Sequence, residues 1–250
     1  MILNIGPLGK SREKSPPRFT VTDGTYSYAQ TERADGIVDW EIALLTGADA
    51  TLTFGRVVDY VDVFLVGGGK PGGSRGTDSG GTGGKGGQLV TKSGADKISV
   101  TAGTSYTFTI GGSNEDTSIF GFTASSGGGS NGGTGGDISE SRQATAGRDG
   151  AYAFGAGESL INSGQKYGAG GGGGGYWQGN VHINGKAGGA TGGGHGADPN
   201  HTTKASASGA ANTGSGGGGA GANISSSPAK YYSAGDGGSG IIIIRNHREE

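Results

Sequence analysis

Apolar and polar residues alternate with a period of two along several stretches of this chain, the pattern of a strand with one face turned to a core. Val38, Trp40, Ile42 and Leu44 alternate with Asp39, Glu41 and Ala43, which predicts one half-buried strand. Val61, Val63 and Leu65 share a face within Tyr60 to Val66, with Asp62 opposite. Ile98 and Val100 alternate with Lys97, Ser99 and Thr101, while Tyr106, Phe108 and Ile110 alternate with Thr107 and Thr109. The Ala102-Gly103 turn between these two runs predicts the strongest hairpin in the chain. Ile119, Phe120 and Phe122 predict one further short strand. Ile241 to Ile244 breaks the alternation, and four consecutive β-branched residues predict a strand covered on both faces, central in its sheet. No segment carries a helical period longer than a turn or two.

Between these strands the pattern vanishes into glycine. The chain has 61 glycines in 250 residues, against roughly 7% in average usage. Gly6, Gly9, Gly24, Gly36, Gly47 and Gly55 precede residue 66; all the others fall between Gly67 and Gly240. Gly80 to Gly87 repeats Gly-Gly-X with a period of three, and a shorter copy stands at Gly132 to Gly136. A polyproline-II-type helix has three residues per turn, so Gly-Gly-X places every side chain on one edge and leaves two edges bare. Gly170 to Gly175 has no side chain on any edge and suits the centre of a bundle; Gly216 to Gly219 is a shorter example.

Such helices have no internal hydrogen bonds and must pair with one another or with water. Ordering a residue costs about 1–2 kcal/mol of backbone entropy, more for glycine. A hydrogen bond contributes only about 0.5–1.5 kcal/mol net. A lone glycine helix therefore stays disordered, and order requires a cooperative stack anchored on a core. The competing reading is a flexible glycine linker. The fold expected is all-β: a β-sandwich-like core with an inserted bundle of polyglycine-II helices and little or no α-helix. Five regions follow: a flexible arm at 1–20, a β attachment region at 21–66, the first glycine run and hairpin strands at 67–126, the glycine bundle with its inserts at 127–240, and a core strand with a charged tail at 241–250.

At these residues the chain resembles the Gly-rich tail proteins of phages and prophages. The resemblance lies in Val61-Asp62-Val63-Phe64-Leu65-Val66-Gly67-Gly68-Gly69, in Thr107-Phe108-Thr109-Ile110-Gly111-Gly112, and most clearly in Gly237-Gly238-Ser239-Gly240-Ile241-Ile242-Ile243-Ile244-Arg245. It spans roughly residues 57 to 245. A more distant likeness is to the distal tail-fibre adhesins of T-even-like phages, which carry a sandwich of polyglycine-II helices whose loops bind the host receptor. Gly170 to Gly175, Gly216 to Gly219 and the polar or aromatic inserts between glycine runs are the shared elements. The N-terminal 60 residues do not match that adhesin's attachment domain. The resemblance implies a virion protein at the tail or fibre tip, made in the host cytoplasm, with a bacterial surface glycan or outer-surface protein and other phage tail proteins as partners.

Composition narrows the chemistry. The absence of cysteine excludes disulfides and Cys-based zinc sites. A net charge of −2 offers no footprint for nucleic acid or anionic lipid. The longest aliphatic block, Ile241 to Ile244, is far short of the roughly 18 residues of a spanning helix, so no membrane insertion is expected. Met1 to Pro7 lacks the basic and apolar regions of a secretory leader. Gly84-Lys85-Gly86 and Gly185-Lys186-Ala187 lack the Ser or Thr of a phosphate-binding loop. His195, His201 and Asp198 share an insert, but solvated loop residues are the expected reading. No metal site, cofactor or catalytic set is assigned; Glu115-Asp116 reads as a loop pair, not as glycosidase carboxylates.

The aromatic inserts are the candidate binding residues. Tyr176-Trp177-Gln178-Gly179-Asn180 follows the six-glycine run and is expected to emerge at one end of the bundle. Tyr152 and Phe154, Tyr167, and Tyr231-Tyr232 also border glycine runs. Aromatic faces beside amides suit sugar rings or a protein surface; alternatively these residues cap the bundle against water. The expected function is a tail or fibre-tip adhesin, and the alternative is a structural virion spacer. Either a monomer or a trimer fits, since glycine helices pack within or between chains. The basic, proline-broken arm Leu8 to Phe19 is expected to be flexible or extended, with docking onto another virion protein as the alternative.

Overall fold

The computed structural model describes residues 17–56, 58, 60–76, 79–127, 144–155, 159–161, 163–199 and 205–247. The Gly132 to Gly136 repeat, His201 and most of the N-terminal arm lie outside the described residues. The strands are β1 (Phe19–Glu32), β2 (Val38–Phe54), β3 (Tyr60–Val66), β4 (Leu89–Lys92), β5 (Ile98–Ser99), β6 (Ser105–Thr109), β7 (Thr117–Ile119), β8 (Phe122–Ala124), β9 (Ala151–Tyr152), β10 (Lys166–Tyr167), β11 (Tyr176–Gln178), β12 (Val181–Ile183), β13 (Gly221–Asn223), β14 (Lys230–Tyr232) and β15 (Ile241–Asn246). The described residues contain no α-helix, only a single 3-10 turn at Gly94–Asp96.

The core is one sheet that forks. β2 pairs with β1 along one edge from Val38 to Phe54. On its other edge, Glu41 to Leu44 pairs with β15, while Ala50 to Thr53 pairs with β6. One branch continues β15–β3, with β4 and β5 side by side on β3; the other continues β6–β7–β8. The branches fold over each other, so Val61, Val63, Leu65, Ile242 and Ile244 of one meet Phe108, Ile119 and Ala124 of the other around Trp40. The Gln88 N–H donates to the Ser125 carbonyl (2.9 Å) and the Ser125 N–H to Gln88 Oε1 (3.0 Å), nearly closing the sandwich into a barrel. Gly24 and Gly47 face each other across the β1–β2 bend. A Cβ on either would sit 2.8 or 2.6 Å from the Phe108 ring, so glycine here makes room for a core aromatic.

Ile241 to Ile244 forms the central strand that its β-branched run predicts. Ile242 and Ile244 point into the sandwich, while Ile241 and Ile243 join Phe64, Val66, Tyr167 and Ala153 on the outer face. Three other expectations change. β5 and β6 do not form a hairpin: the Ala102-Gly103 turn is present, but β5 pairs with β3, and β6 pairs with β2 and β7. Alternation marks two half-buried strands without saying with whom each pairs, and the fork of β2 offers a longer partner. Residues 117–124 make two strands, because Phe120 (φ 53°) and Gly121 (φ 78°) both take the positive φ that a two-residue I′ turn requires. Val38 to Leu44 is buried on both faces.

That second face of β2 explains its acidic residues. The Glu41 carboxylate accepts hydrogen bonds from the Ser159 hydroxyl (2.6 Å) and from the Leu160 and Ile161 N–H groups (3.0 Å each). Beside it in register, Arg245 donates to Asp62 (3.2 Å) and stacks 4.0 Å from the Phe154 ring, while His247 Nδ1 lies 2.7 Å from Asp62. A row of charges across β2, β15 and β3 thus seats Phe154 and Ser159 to Ile161 of the glycine region on the core.

Within the bundle, successive amides turn through three directions. Gly170, Gly171 and Gly172 donate to Arg148, Gly84 and Gly194; Gly173, Gly174 and Gly175 repeat the cycle to Thr145, Gly81 and Ala197. A three-residue turn is the only conformation that returns each N–H to the same neighbour every third residue. Ser215 to Ala220 is enclosed on all sides. It donates to the segments of Ala169 and Gly172, of Lys70 and Gly73, and of Ala207, and accepts from those of Gly81 and Gly84, of Gly194 and Ala197, and of Gly235 and Gly238. Six neighbours surround it, three accepting and three donating. The close approach leaves no volume for a side chain: a Cβ on Gly174 would lie 1.8 Å from the Ala220 carbonyl oxygen, and one on Gly216 2.0 Å from that of Gly84.

Candidate functional site

The bundle has two ends. Gly67, Gly87, Gly168, Gly214 and Gly240 adjoin the β core, where β3 leaves it and β15 returns. At the other end Gly175 runs directly into β11 and Ala220 into β13. The two central glycine helices run parallel, so their continuations pair as parallel strands, Tyr176 beside Ala222 and Trp177 beside Asn223. Each strand then folds back, giving a four-stranded sheet ordered β12–β11–β13–β14. This small sheet is the distal cap of the bundle.

The register sorts its side chains by face. Ile183, Tyr176, Ala222 and Tyr231 form one row, with Ala144 and Ile224 packed on its buried part. His182, Trp177, Asn223 and Lys230 form the row on the opposite face. Trp177 stacks on His182 at 4.3 Å, and the His182 ring reaches the Gly179 carbonyl (Nε2 to O, 3.1 Å). Tyr231 is 60% exposed and holds the Arg75 guanidinium 4.3 Å above its ring, a contact to the loop that follows the first glycine run. Asn223 accepts the Ser225 and Ser226 N–H groups (3.1 Å each) and so fixes the loop between β13 and β14.

The aromatic and amide candidates therefore divide. Trp177, Asn180, Tyr231 and Tyr232 share the distal cap, with Asn180 in the exposed turn between β11 and β12 and Tyr232 half-buried on β14. Tyr176 belongs to the same sheet but is fully buried, its hydroxyl donating to Gln178 Oε1 (2.5 Å), so it packs the cap and presents nothing to a ligand. Tyr167 is likewise buried, at the opposite end, 5.4 Å from Phe64 in the outer core cluster. Phe154, also on the core side, sits 6.0 Å from Phe64 under Arg245. Tyr152 is exposed on β9, flanked by Lys166. Both buried tyrosines directly border a glycine run, where their rings cover the junction between glycine helix and strand.

His182, Arg75, Asn223 and Lys230 are distal residues that sequence reasoning missed. Arg75 carried no signal, because its loop is remote in sequence from the strands it meets. Lys230 adjoins Tyr231-Tyr232, and His182 faces Trp177 only once the β11–β12 hairpin sets the register. Among the described residues no group of three or more His, Asp or Glu side chains is placed to hold a metal ion. Near the core end, the Asp149 carboxyl is held below its ordinary range by a hydrogen bond from Lys166 (2.9 Å) and by the Ala190 N–H (2.6 Å), and the same pairing raises Lys166.

Architecture and cap together define a class: an all-β protein in which a polyglycine-II bundle carries a small aromatic sheet away from a β core. The chain belongs to the glycine-rich domain family, whose model matches residues 45–247. Comparison with curated proteins gives no match.

Proposed function

We propose that this protein is a phage tail or tail-fibre-tip adhesin, recognising a glycan or protein on the bacterial surface through its distal cap. The observation that carries the reading is the grouping of Trp177, Asn180, Tyr231 and Tyr232, with Arg75 and Lys230, at the end of the bundle remote from the β core. The resemblance of the Gly237 to Arg245 ending to Gly-rich phage tail proteins supplies the virion context. A bundle interior made of backbone has no side chains with which to recognise a partner, so recognition falls to the loops at its tip. Individual contacts of this kind are weak, and many copies on one particle make them effective.

A structural spacer is the second reading, favoured by Tyr167 and Tyr176, which are buried and cap glycine helices. Replacing Trp177, Asn180, Tyr231 and Tyr232 by alanine separates the two. Loss of binding to host cells at an unchanged thermal midpoint is expected of an adhesin. A lowered midpoint with adsorption retained favours the spacer. Gold-labelled antibody at the distal tail supports the first, and label along the shaft or over the head overturns it.

A further inference from the structure

The distal cap differs from the rest of the chain in charge. The whole chain carries a net charge of −2, from 21 acidic and 19 basic residues. The described segments that build the cap, 73–76, 176–183 and 221–233, contain Arg75 and Lys230 and no Asp or Glu. Neither cation pairs with a carboxylate among the described residues. Asp198 adjoins Pro199, whose carbonyl the Asn223 amide contacts, and is already engaged within the fold. Asp78, which follows Arg75 in sequence, lies outside the described residues. Arg75 is also held in place. Its guanidinium stacks 4.3 Å above the Tyr231 ring and its Nη1 donates to the Gly76 carbonyl (3.2 Å), while the residue itself stays exposed. A planar fork fixed on an aromatic face keeps its remaining N–H groups in the geometry that a carboxylate or phosphate accepts.

We propose that Arg75, seated on Tyr231, binds a carboxylate or phosphate borne by a bacterial surface glycan, so that the cap reads acidic sugars; this rests on the adhesin reading above. The surroundings of the fork favour a sugar over an acidic protein surface. The exposed groups of the cap include the amides of Gln178 and Asn180, the hydroxyls of Ser225 and Ser227, and the Tyr231 ring. Its aliphatic Ile183 and Ala222 are buried, with Ile224 packed on them. Protein interfaces centre on an apolar patch. A polyhydroxylated ring instead needs hydrogen-bonding groups beside an aromatic face. Lys230 lies on the opposite face of the same edge strand. It is a point charge without fixed geometry, so it contributes attraction rather than selectivity.

The test measures binding of the full-length protein to polysaccharide extracted from the surface of host cells, before and after two treatments. Carbodiimide amidation neutralises carboxylates, and cold hydrofluoric acid cleaves phosphate esters; both alter the glycan and leave the protein untouched. One treatment is expected to weaken binding about tenfold or more, and which one does so names the anion. Arg75→Gln is expected to weaken binding to untreated polysaccharide by a similar factor at an unchanged thermal midpoint. Lys230→Gln should weaken it about threefold. Lys186→Gln removes the same charge from an exposed residue of the bundle outside the cap, and should leave binding unchanged. Polysaccharide binding that survives both treatments, or that Arg75→Gln and Lys186→Gln weaken equally, overturns the proposal. So does binding to host cells without binding to their polysaccharide, which makes the receptor a protein and leaves the adhesin reading standing. No binding to cells at all overturns the adhesin reading itself, and this proposal with it.

Discussion

The β core and the glycine bundle are both well-packed interiors, yet they are held together by opposite means. In the core, side chains fill the space: Trp40, Ile42, Leu52, Phe64 and Ile241 to Ile244 are all essentially inaccessible, and removing volume is what costs. In the bundle, the backbone itself fills the space, with carbonyl oxygens lying where Cβ atoms would be, and adding volume is what costs. Backbone hydrogen bonds in the core run between strands in one plane. Those around Gly214 to Ala220 run in three directions to six segments. Interior order does not require hydrophobic side chains, provided every amide finds a partner and enough segments share the entropic cost.

This contrast is broken most severely by a methyl group. Gly174→Ala is expected to destabilise the protein by about 3 kcal/mol or more, read as a shift in denaturant midpoint, because the clash is with backbone held on several sides. Gly103→Ala is the matched control: its φ of 74° carries strain, but no atom lies within 4 Å. Its cost should be only about 1 kcal/mol. If the two variants lose equal stability, the close-packed account of the bundle is wrong.

In the core the opposite change is damaging. Ile242→Ala is expected to cost about 2–5 kcal/mol, whereas Ala220→Gly in the bundle should cost about 1 kcal/mol or less. Glu41→Ala tests the seam between the regions. It leaves the Leu160 and Ile161 N–H groups without their acceptor, for an expected loss of about 1–3 kcal/mol. Faster hydrogen exchange at those two amides, with β6 to β8 unchanged, is the specific readout.

The smallest effect is electrostatic. The Asp149 carboxyl titrates low and the Lys166 ammonium high because each holds the other. Stability from the depressed Asp149 is present above its unfolded value, about 3.9, and is lost as pH falls through its folded value. Stability from the raised Lys166 is present below about 10.4 and lost as pH rises through its folded value. Both groups are solvent-accessible, so the contribution is small. Lys166→Met should move the Asp149 carboxyl titration upward by NMR without returning it fully, because the Ala190 N–H remains.

Much of this architecture is legible in the residues themselves. Ile241-Ile242-Ile243-Ile244 could only be a doubly covered strand, since four apolar β-branched side chains in a row leave neither face for water. The Gly-Gly-X period implies threefold helices because no other repeating conformation clears side chains from two edges. Pairing was not legible. Ile98 to Val100 and Tyr106 to Ile110 have the alternation of a hairpin, but the β1–β2 pair bends at Gly24 and Gly47 and β2 takes β6 for itself. The Phe120-Gly121 turn was hidden because Phe120 adopts a φ that its side chain does not advertise.

The candidate site shows the same division. Composition alone marks the aromatic inserts as the residues available for recognition, because glycine has no side chain to offer. Only the tertiary structure separates Trp177, Asn180, Tyr231 and Tyr232 at one end from Tyr152, Phe154 and Tyr167 at the other, and exposed Tyr231 from buried Tyr176. Local pattern determines which segments are strands and which are glycine helices, since each depends on its own backbone and its neighbours in sequence. The tertiary structure decides which segments meet. Lateral hydrogen bonds between glycines are chemically alike, so which glycine helix lies beside which is set by the β core and the loops that hold their ends.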